Sequence, residues 1–302
     1  MKVLLLGTAA GGGFPQWNCW CPSCRLARTH PDRARPRTQS SVAVSADGQR
    51  WFLLNASPDV REQLARLPAP ELPGTRHLPV AGVVLTDAEL DHSLGLVLLR
   101  EGRTLQLYAT AAVLHTLEHD SRLLPVTRAF ADVATTTLVP GTSTPLRYLD
   151  GSTSGLAVEP VVVPAGPPRF ASVDEPGHTT GLLVRDASTG GTLAYLPACG
   201  DLEPALLDRL AGTDLLLFDG TFWTDDEMIV LGVGTRRARE IDHLPLSGPG
   251  GSLERLAALA RPRRVYVHVN NTNPILREES AERALVRAAG LEVGMDGMTF
   301  TV

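Results

Sequence analysis

The sequence predicts a layered α/β protein with helices outside packed sheets. Short Val- and Leu-rich runs recur along the chain, as expected for strands covered on both faces. They alternate with segments whose apolar residues fall three and four apart, the mark of a helix with one buried face. An apolar fraction of 43% and a net charge of −5 over 302 residues allow a sizeable core and exclude disorder as the dominant state. No fixed-period repeat and no spacer-like linker breaks the pattern, so one domain is expected.

The first strand is expected at Lys2–Leu6. Its apolar run of four residues is shorter than the roughly 7–15 of a secretory leader, so the protein reads as cytoplasmic. Nor does any uninterrupted apolar stretch reach the roughly 18 residues that a membrane helix needs. Further strands are expected at Ser41–Ser45, Arg50–Leu54, Gly82–Thr86, Leu105–Ala109, Gly181–Arg185, Thr192–Leu196, Asp214–Phe218 and Arg264–Val269. Helices are expected at Asp59–Leu67, with Ser57 as cap and Pro58 in the first turn, and at Leu202–Leu210, Ser252–Leu259 and Glu278–Ala289. Gly212 and Gly290 stand where C-terminal caps belong. Residues 163–177, rich in Pro and Gly, read as a long loop.

Three of the four cysteines lie within six positions, as Cys19-Trp20-Cys21-Pro22-Ser23-Cys24. In a reducing compartment C-x-C-x-x-C suits one tetrahedral ion, usually zinc, better than a disulfide framework. With its positions filled, the ion is structural and ties the loop of about residues 7–37 to the body or to a second copy, a homodimer through the zinc loop. The alternative is three buried thiols. Cys199 stands apart and reads as a small core residue.

A second constellation follows an apolar strand: Thr86-Asp87-Ala88-Glu89-Leu90-Asp91-His92. Alternate side chains at a strand-to-helix junction share one space, and three carboxylates with an imidazole stay close most readily around a cation. A solvated acidic turn is the bland alternative. Three further strand ends carry polar groups. His178 precedes one strand, Asp201 follows Thr192–Leu196, and His268 ends an apolar run before Asn270-Asn271-Thr272-Asn273.

This order and spacing resemble the metallo-β-lactamase superfamily, where H-x-H-x-D-H is followed by a lone His, a Gly-Asp and a strand-end His. C-x-C-x-x-C marks a small group within it. The segments GTAAGGGFPQWNCWCPSC, TDAELDHSLGL, FDGTFW, DHLPLSGPGGS and HVNNTNPIL look like a family of pyrroloquinoline quinone (PQQ) biosynthesis proteins, and they span Gly7 to Leu276. The resemblance implies a metallo-β-lactamase-like αββα four-layer sandwich. It implies an active-site divalent metal on Asp91, His92, Asp201 and His268, and a weaker second position on Asp87, Glu89 and His178. There, carboxylates replace the two leading His. It places His243 among the catalytic residues, as an aid to proton transfer. The fourth zinc ligand is left open, because Asn271 stands where related proteins have a His.

One well-held ion with two His and a carboxylate is the ligand inventory of a non-haem Fe(II) oxygenase, and it disfavours the two-metal clamp of phosphodiester hydrolysis. The resemblance therefore implies hydroxylation of the tyrosine of the PQQ precursor peptide, or of a tyrosine-derived intermediate. Carriage or transport of PQQ or its precursor toward the periplasm, and metal-dependent hydrolysis, are the alternatives. A partnership with nucleic acid or membrane is not expected at this charge and hydropathy. Neither G-x-G-x-x-G nor G-x-S-x-G occurs. Arg25, Arg28, Arg33, Arg35 and Arg37 read as a solvated loop or as a clamp for carboxylates. His30, His77, His115 and His119 read as surface residues.

Overall fold

The apolar runs become strands because both of their faces are covered. The computed structural model describes residues 1–69 and 79–302. In chain order its strands are β1 (Lys2–Gly7), β2 (Ser41–Ser45), β3 (Trp51–Leu54), β4 (Val80–Val84), β5 (Thr104–Thr110), β6 (Asp132–Leu138), β7 (Thr144–Arg147), β8 (Thr153–Val162), β9 (Thr180–Asp186), β10 (Thr192–Leu196), β11 (Leu215–Asp219), β12 (Arg263–Val267), β13 (Glu292–Val293) and β14 (Thr299–Thr301). They form two seven-stranded sheets, ordered β14-β1-β2-β3-β4-β5-β6 and β13-β12-β11-β10-β9-β8-β7. Each sheet is antiparallel on one side and parallel on the other, with β3 to β6 and β10 to β13 running parallel.

Three apolar layers separate four structural ones. Leu5, Val44, Phe52 and Leu54 of the first sheet meet Leu182, Tyr195, Leu217 and Val267 of the second in the central layer. The alternate residues of the same strands, Leu4, Leu6, Leu53 and Val83, face outward onto Leu96, Val113 and Leu117 of the helices on that side. On the far side Leu216, Phe218 and Tyr266 pack against Leu206, Leu210, Leu256 and Val286. This is the αββα sandwich. The two periodicities explain the continuous runs: a strand such as Leu215–Phe218 gives alternate residues to two different cores.

All nine expected strands are present. Three of the others had weaker signals. In β6 most residues are exposed, so Thr supplies β propensity without an apolar run. The alternation of β8 is interrupted by Gly155 and Pro160, which argue against a strand; Pro145 does the same in β7. The expected helices appear at Val60–Leu64, Pro204–Ala211, Ser252–Ala257 and Ala281–Ala288. Gly290 caps the last in the left-handed region at φ 75°, whereas Gly212 stays right-handed at φ −80°. Helix Pro22–Thr29 was not expected; it grows out of the cysteine loop, with the Cys21 sulfur accepting the Cys24 amide. His77 lies outside the described residues.

Candidate metal centres

The parallel halves of both sheets end at one rim, and polar residues gather there, as in open α/β sheets generally. Asp87 to His92 follow β4, Ala198 and Cys199 follow β10, Asp219 ends β11 and His268 follows β12. A cavity of about 660 Å³ opens there, lined among others by Asp87, Glu89, Asp91, His92, His243 and His268.

The ligand atoms of Asp91, His92 and His268 lie within 4.8 Å of one another. Each imidazole is oriented by an acceptor behind it. His92 Nδ1 donates to the Asp87 carboxylate at 2.8 and 2.9 Å. His268 Nδ1 donates to the Thr221 hydroxyl at 2.8 Å, and that hydroxyl donates to Asp219 at 2.5 Å. His243 Nδ1 donates to the other Asp219 oxygen at 2.7 Å. Holding the Nδ1 protons this way leaves Nε2 of each ring for a ligand, the arrangement that supports metal-bound histidines. His268 Nε2 is 3.2 Å from Asp91 Oδ2. The His92 and His268 rings are 5.1 Å apart, and His243 stacks on His268 at 5.4 Å.

The fit to a metal ion rests on a buried atom with nothing to do. His92 Nε2 is sealed from solvent and has no hydrogen-bond partner among the described residues, while its other nitrogen is held by a carboxylate. A bare buried nitrogen of that kind costs free energy unless a ligand takes it up. The charges agree. Burial opposes ionisation of His92, but Asp87 and Asp91 outweigh it and raise its pKa to about 9. Burial likewise opposes ionisation of Asp91, and His92 and His268 hold its carboxyl far below the usual carboxylate range. At the mouth, burial and then the Asp87 and Asp91 charges push Glu89 up to about 7. Burial lowers His268. Asp219 raises His243 against the same effect.

Backbone geometry aims these groups. His268 sits at φ 54° and Asp242, just before His243, at φ 61°, positions that non-Gly residues occupy sparingly and usually near function. Gly11 lies where the N-terminal loop crosses Asp91, and a Cβ there would stand a tight 3.2 Å from the carboxylate.

Two expected roles are corrected. Asp201 does not reach the centre. The turn after β10 carries it past the rim, where its side chain, 47% exposed, binds Arg255 at 2.8 Å. The fully buried carboxylate in this region is Asp219, which also accepts the Cys199 amide at 3.1 Å. The signal for it was FDGTFW, an Asp closing an apolar strand, read as a family motif and not as a site. The set Asp87, Glu89 and His178 is not gathered round a common point among the described residues. Asp87 is committed to His92, the Thr86 hydroxyl and the Glu89 amide. His178 is buried with both ring nitrogens unpartnered among the described residues, and it lies outside the cavity wall.

The three thiols of Cys19, Cys21 and Cys24 also lie within 4.8 Å of one another, all buried. Their chemistry fits a thiophilic ion. No further Cys, His, Asp or Glu among the described residues joins them. Asn271 covers the remaining side, its amide 3.3 Å from Cys24 Sγ and its carbonyl 3.4 Å from Cys21 Sγ. Cys21 and, against burial, Asn271 draw Cys24 down to about 5. His268 turns to Asp91, not to the thiols. Cys199 is a core residue whose sulfur faces the Asp201 carbonyl.

Three of the five arginines of that stretch are engaged within the fold. Arg28 donates to the Cys19 and Gln16 carbonyls and lies over Trp20. Arg33 pairs with Glu279, and Arg37 is buried against the Gly294 carbonyl. Arg28 thereby holds the cysteine loop, whereas Arg25 and Arg35 are exposed.

Comparison with known proteins identifies the family and the fold. Residues 50–269 match the model of the β-lactamase superfamily domain. The chain is 44% identical over 309 residues to a coenzyme PQQ synthesis protein B of Methylobacterium radiotolerans, with 100% of both chains covered. To one of Pseudomonas aeruginosa it is 42% identical over 315 residues, with 99% of each covered. The crystal structure of Zn2+-bound PqqB from Methylobacterium extorquens superposes with a TM-score of 0.86 at 42% identity, covering 100% of both chains.

Proposed function

The chain belongs to the coenzyme PQQ synthesis protein B family of the β-lactamase superfamily, and from that premise we propose that it is an Fe(II)- and O2-dependent hydroxylase. Its substrate is the tyrosine ring of the PQQ precursor peptide or of a fragment excised from it. The observation that carries this reading is the donor set: two imidazoles and one carboxylate, Asp91, His92 and His268, within 4.8 Å. That is the set of a mononuclear site with open positions. A divalent metal held there supplies the redox chemistry by which an oxygen atom of O2 enters an aromatic ring.

The rest is done by this chain's own groups. Asp87 fixes the His92 ring, and Thr221 with Asp219 fixes His268. His243 lines the cavity with its Nδ1 held by Asp219, so its Nε2 is placed to hold or give up a proton at the substrate. Gly11 lets the N-terminal loop close over Asp91. The cavity, about 660 Å³, is the size of a small-molecule site, which favours a fragment or a single inserted side chain. Cys19, Cys21 and Cys24 would hold a structural zinc, which would tie the loop to the segment that carries His268.

The hydrolase reading needs a second set of donors; Asp87 is already engaged, but the ligand atoms of Asp219, His243 and His268 also lie within 4.8 Å of one another and share His268 with the first set. That group and the unpartnered nitrogens of His178 are the observations in its favour. For a transporter, no helix among the described residues is long and apolar enough to cross a membrane. The test is anaerobic loading with Fe(II), then addition of O2, a reductant and a tyrosine-bearing peptide or fragment. A product heavier by one oxygen atom is expected in the mass spectrum. Iron-loaded, folded protein that yields none with either substrate sinks the reading.

A further inference from the structure

The loop between β8 and β9 forms one wall of the cavity and ends in a built turn. The Ala171 amide donates to the Pro168 carbonyl at 2.9 Å, which puts Arg169 and Phe170 at the tip. Both line the cavity. The turn is held on each side. The Gly166 amide donates to Asp242 at 3.1 Å and the Gly166 carbonyl accepts the Thr179 hydroxyl. Beyond the tip, the Ser172 amide donates to Asp120 at 3.1 Å.

Arg169 has no hydrogen-bond or ion-pair partner among the described residues, although Glu89 is near enough to feel its charge. Other arginines near the rim are committed: Arg255 to Asp201, and Arg236 to a carbonyl of its own loop. Phe170 is half-buried and stacks on no other ring among the described residues. A guanidinium presents a planar fork of donors that matches a carboxylate, and a ring beside it offers a face for a second ring.

We propose that the Pro168–Ala171 turn is the recognition element of the cavity and selects an aromatic carboxylic acid, Arg169 taking the carboxylate and Phe170 packing on the ring. The charge distribution sets the orientation. Arg169 is the one unpaired cation that the cavity wall offers among the described residues, while Asp87 and Asp91 offset the charge of a bound ion at the other end, so the acid end goes to Arg169. The ring is left between Phe170 and the histidines. A turn anchored on both sides has already lost its conformational freedom, so little is lost again on binding. The inference rests on the reading that a tyrosine-derived compound enters this cavity. It adds that the compound carries a free carboxylate beside the ring, which an internal tyrosine of an intact peptide lacks at its own backbone.

The test is calorimetric binding to the metal-loaded protein, with N-acetyltyrosine and N-acetyltyrosinamide as probes. The acid is expected to bind more tightly by about tenfold or more, the scale of a charge-assisted bidentate contact. Arg169→Gln should bring the ratio near one while leaving the amide's affinity unchanged, which also reports that the variant is folded. Phe170→Ala should weaken both probes equally, and Arg236→Gln should keep the ratio. No preference in the wild type, a preserved preference in Arg169→Gln, or its loss in Arg236→Gln instead, overturns the proposal. Binding is read without turnover. An intact ratio with no hydroxylation therefore supports this inference and counts against the hydroxylase.

Discussion

Asp87 and Asp219 act on the centre through other side chains. Each is a buried carboxylate whose oxygens are taken up by imidazole and neighbouring donors, so each fixes a ring, and Asp219 also stands within ligand distance of His243 and His268. Asp87→Asn replaces an acceptor by a group that also donates and removes the charge behind His92. Such changes typically weaken metal binding by about 10–100-fold, and metal titration of the variant should show this with little change in melting temperature. Unchanged affinity would mean that His92 is positioned by packing alone. Glu227 allows a cleaner titration because it lies away from the active-site ligands. Burial raises it to about 7, against hydrogen bonds from Thr272 and the Trp223 amide. Its folded-state value lies above the unfolded one. The protonated form therefore contributes stability that is fully present below the ordinary carboxylate range and is lost as pH rises through about 7. Glu227→Gln should raise the melting temperature above that pH and leave it nearly unchanged well below. An equal shift at both would show that the carboxyl does not titrate there.

The cysteine loop and the segment after β12 work as one element. Asn271 meets Cys21 and Cys24, and Thr272 meets Glu227, three and four positions beyond His268. An ion on the thiolates would therefore brace the strand end that aims His268. Cys24→Ser should remove one equivalent of metal, lower the melting temperature by several degrees, and also loosen the ion at Asp91, His92 and His268. Metal content and thermal unfolding measure both effects; a variant that keeps full affinity at the second site would show that the two elements are independent. The same element shows why the arginine run was ambiguous. A cluster of cations looks alike in sequence whether it faces a ligand or folds back on carbonyls. Only the fold showed that Arg28 and Arg37 turn inward.

Across the molecule, the two sheets press their parallel halves together so that β4, β11 and β12 end at one rim. Residues more than a hundred positions apart then meet around one point. Metal analysis of anaerobically purified protein should find a tight thiolate-held zinc and one exchangeable ion per chain, with mild chelation removing the second first. A further equivalent would point to another ion at Asp219 and His243 or near His178, and would favour the hydrolase.

Much of this was legible in the chain. Strands Leu215–Phe218 and Arg264–Val269 announced themselves because a strand buried on both faces must be apolar throughout. C-x-C-x-x-C and Asp91-His92 announced chemistry because their spacing is local. Asp201 and Asp219 could not be ranked that way. Both are acids at the end of an apolar strand, and nothing nearby in sequence says which one the turn carries inward. Only the packing of β10 against β11 turned Asp219 into the core and Asp201 out to Arg255. Local spacing is written in covalent order, whereas burial of a charge depends on partners brought from distant segments, and those exist only once the sheets have closed.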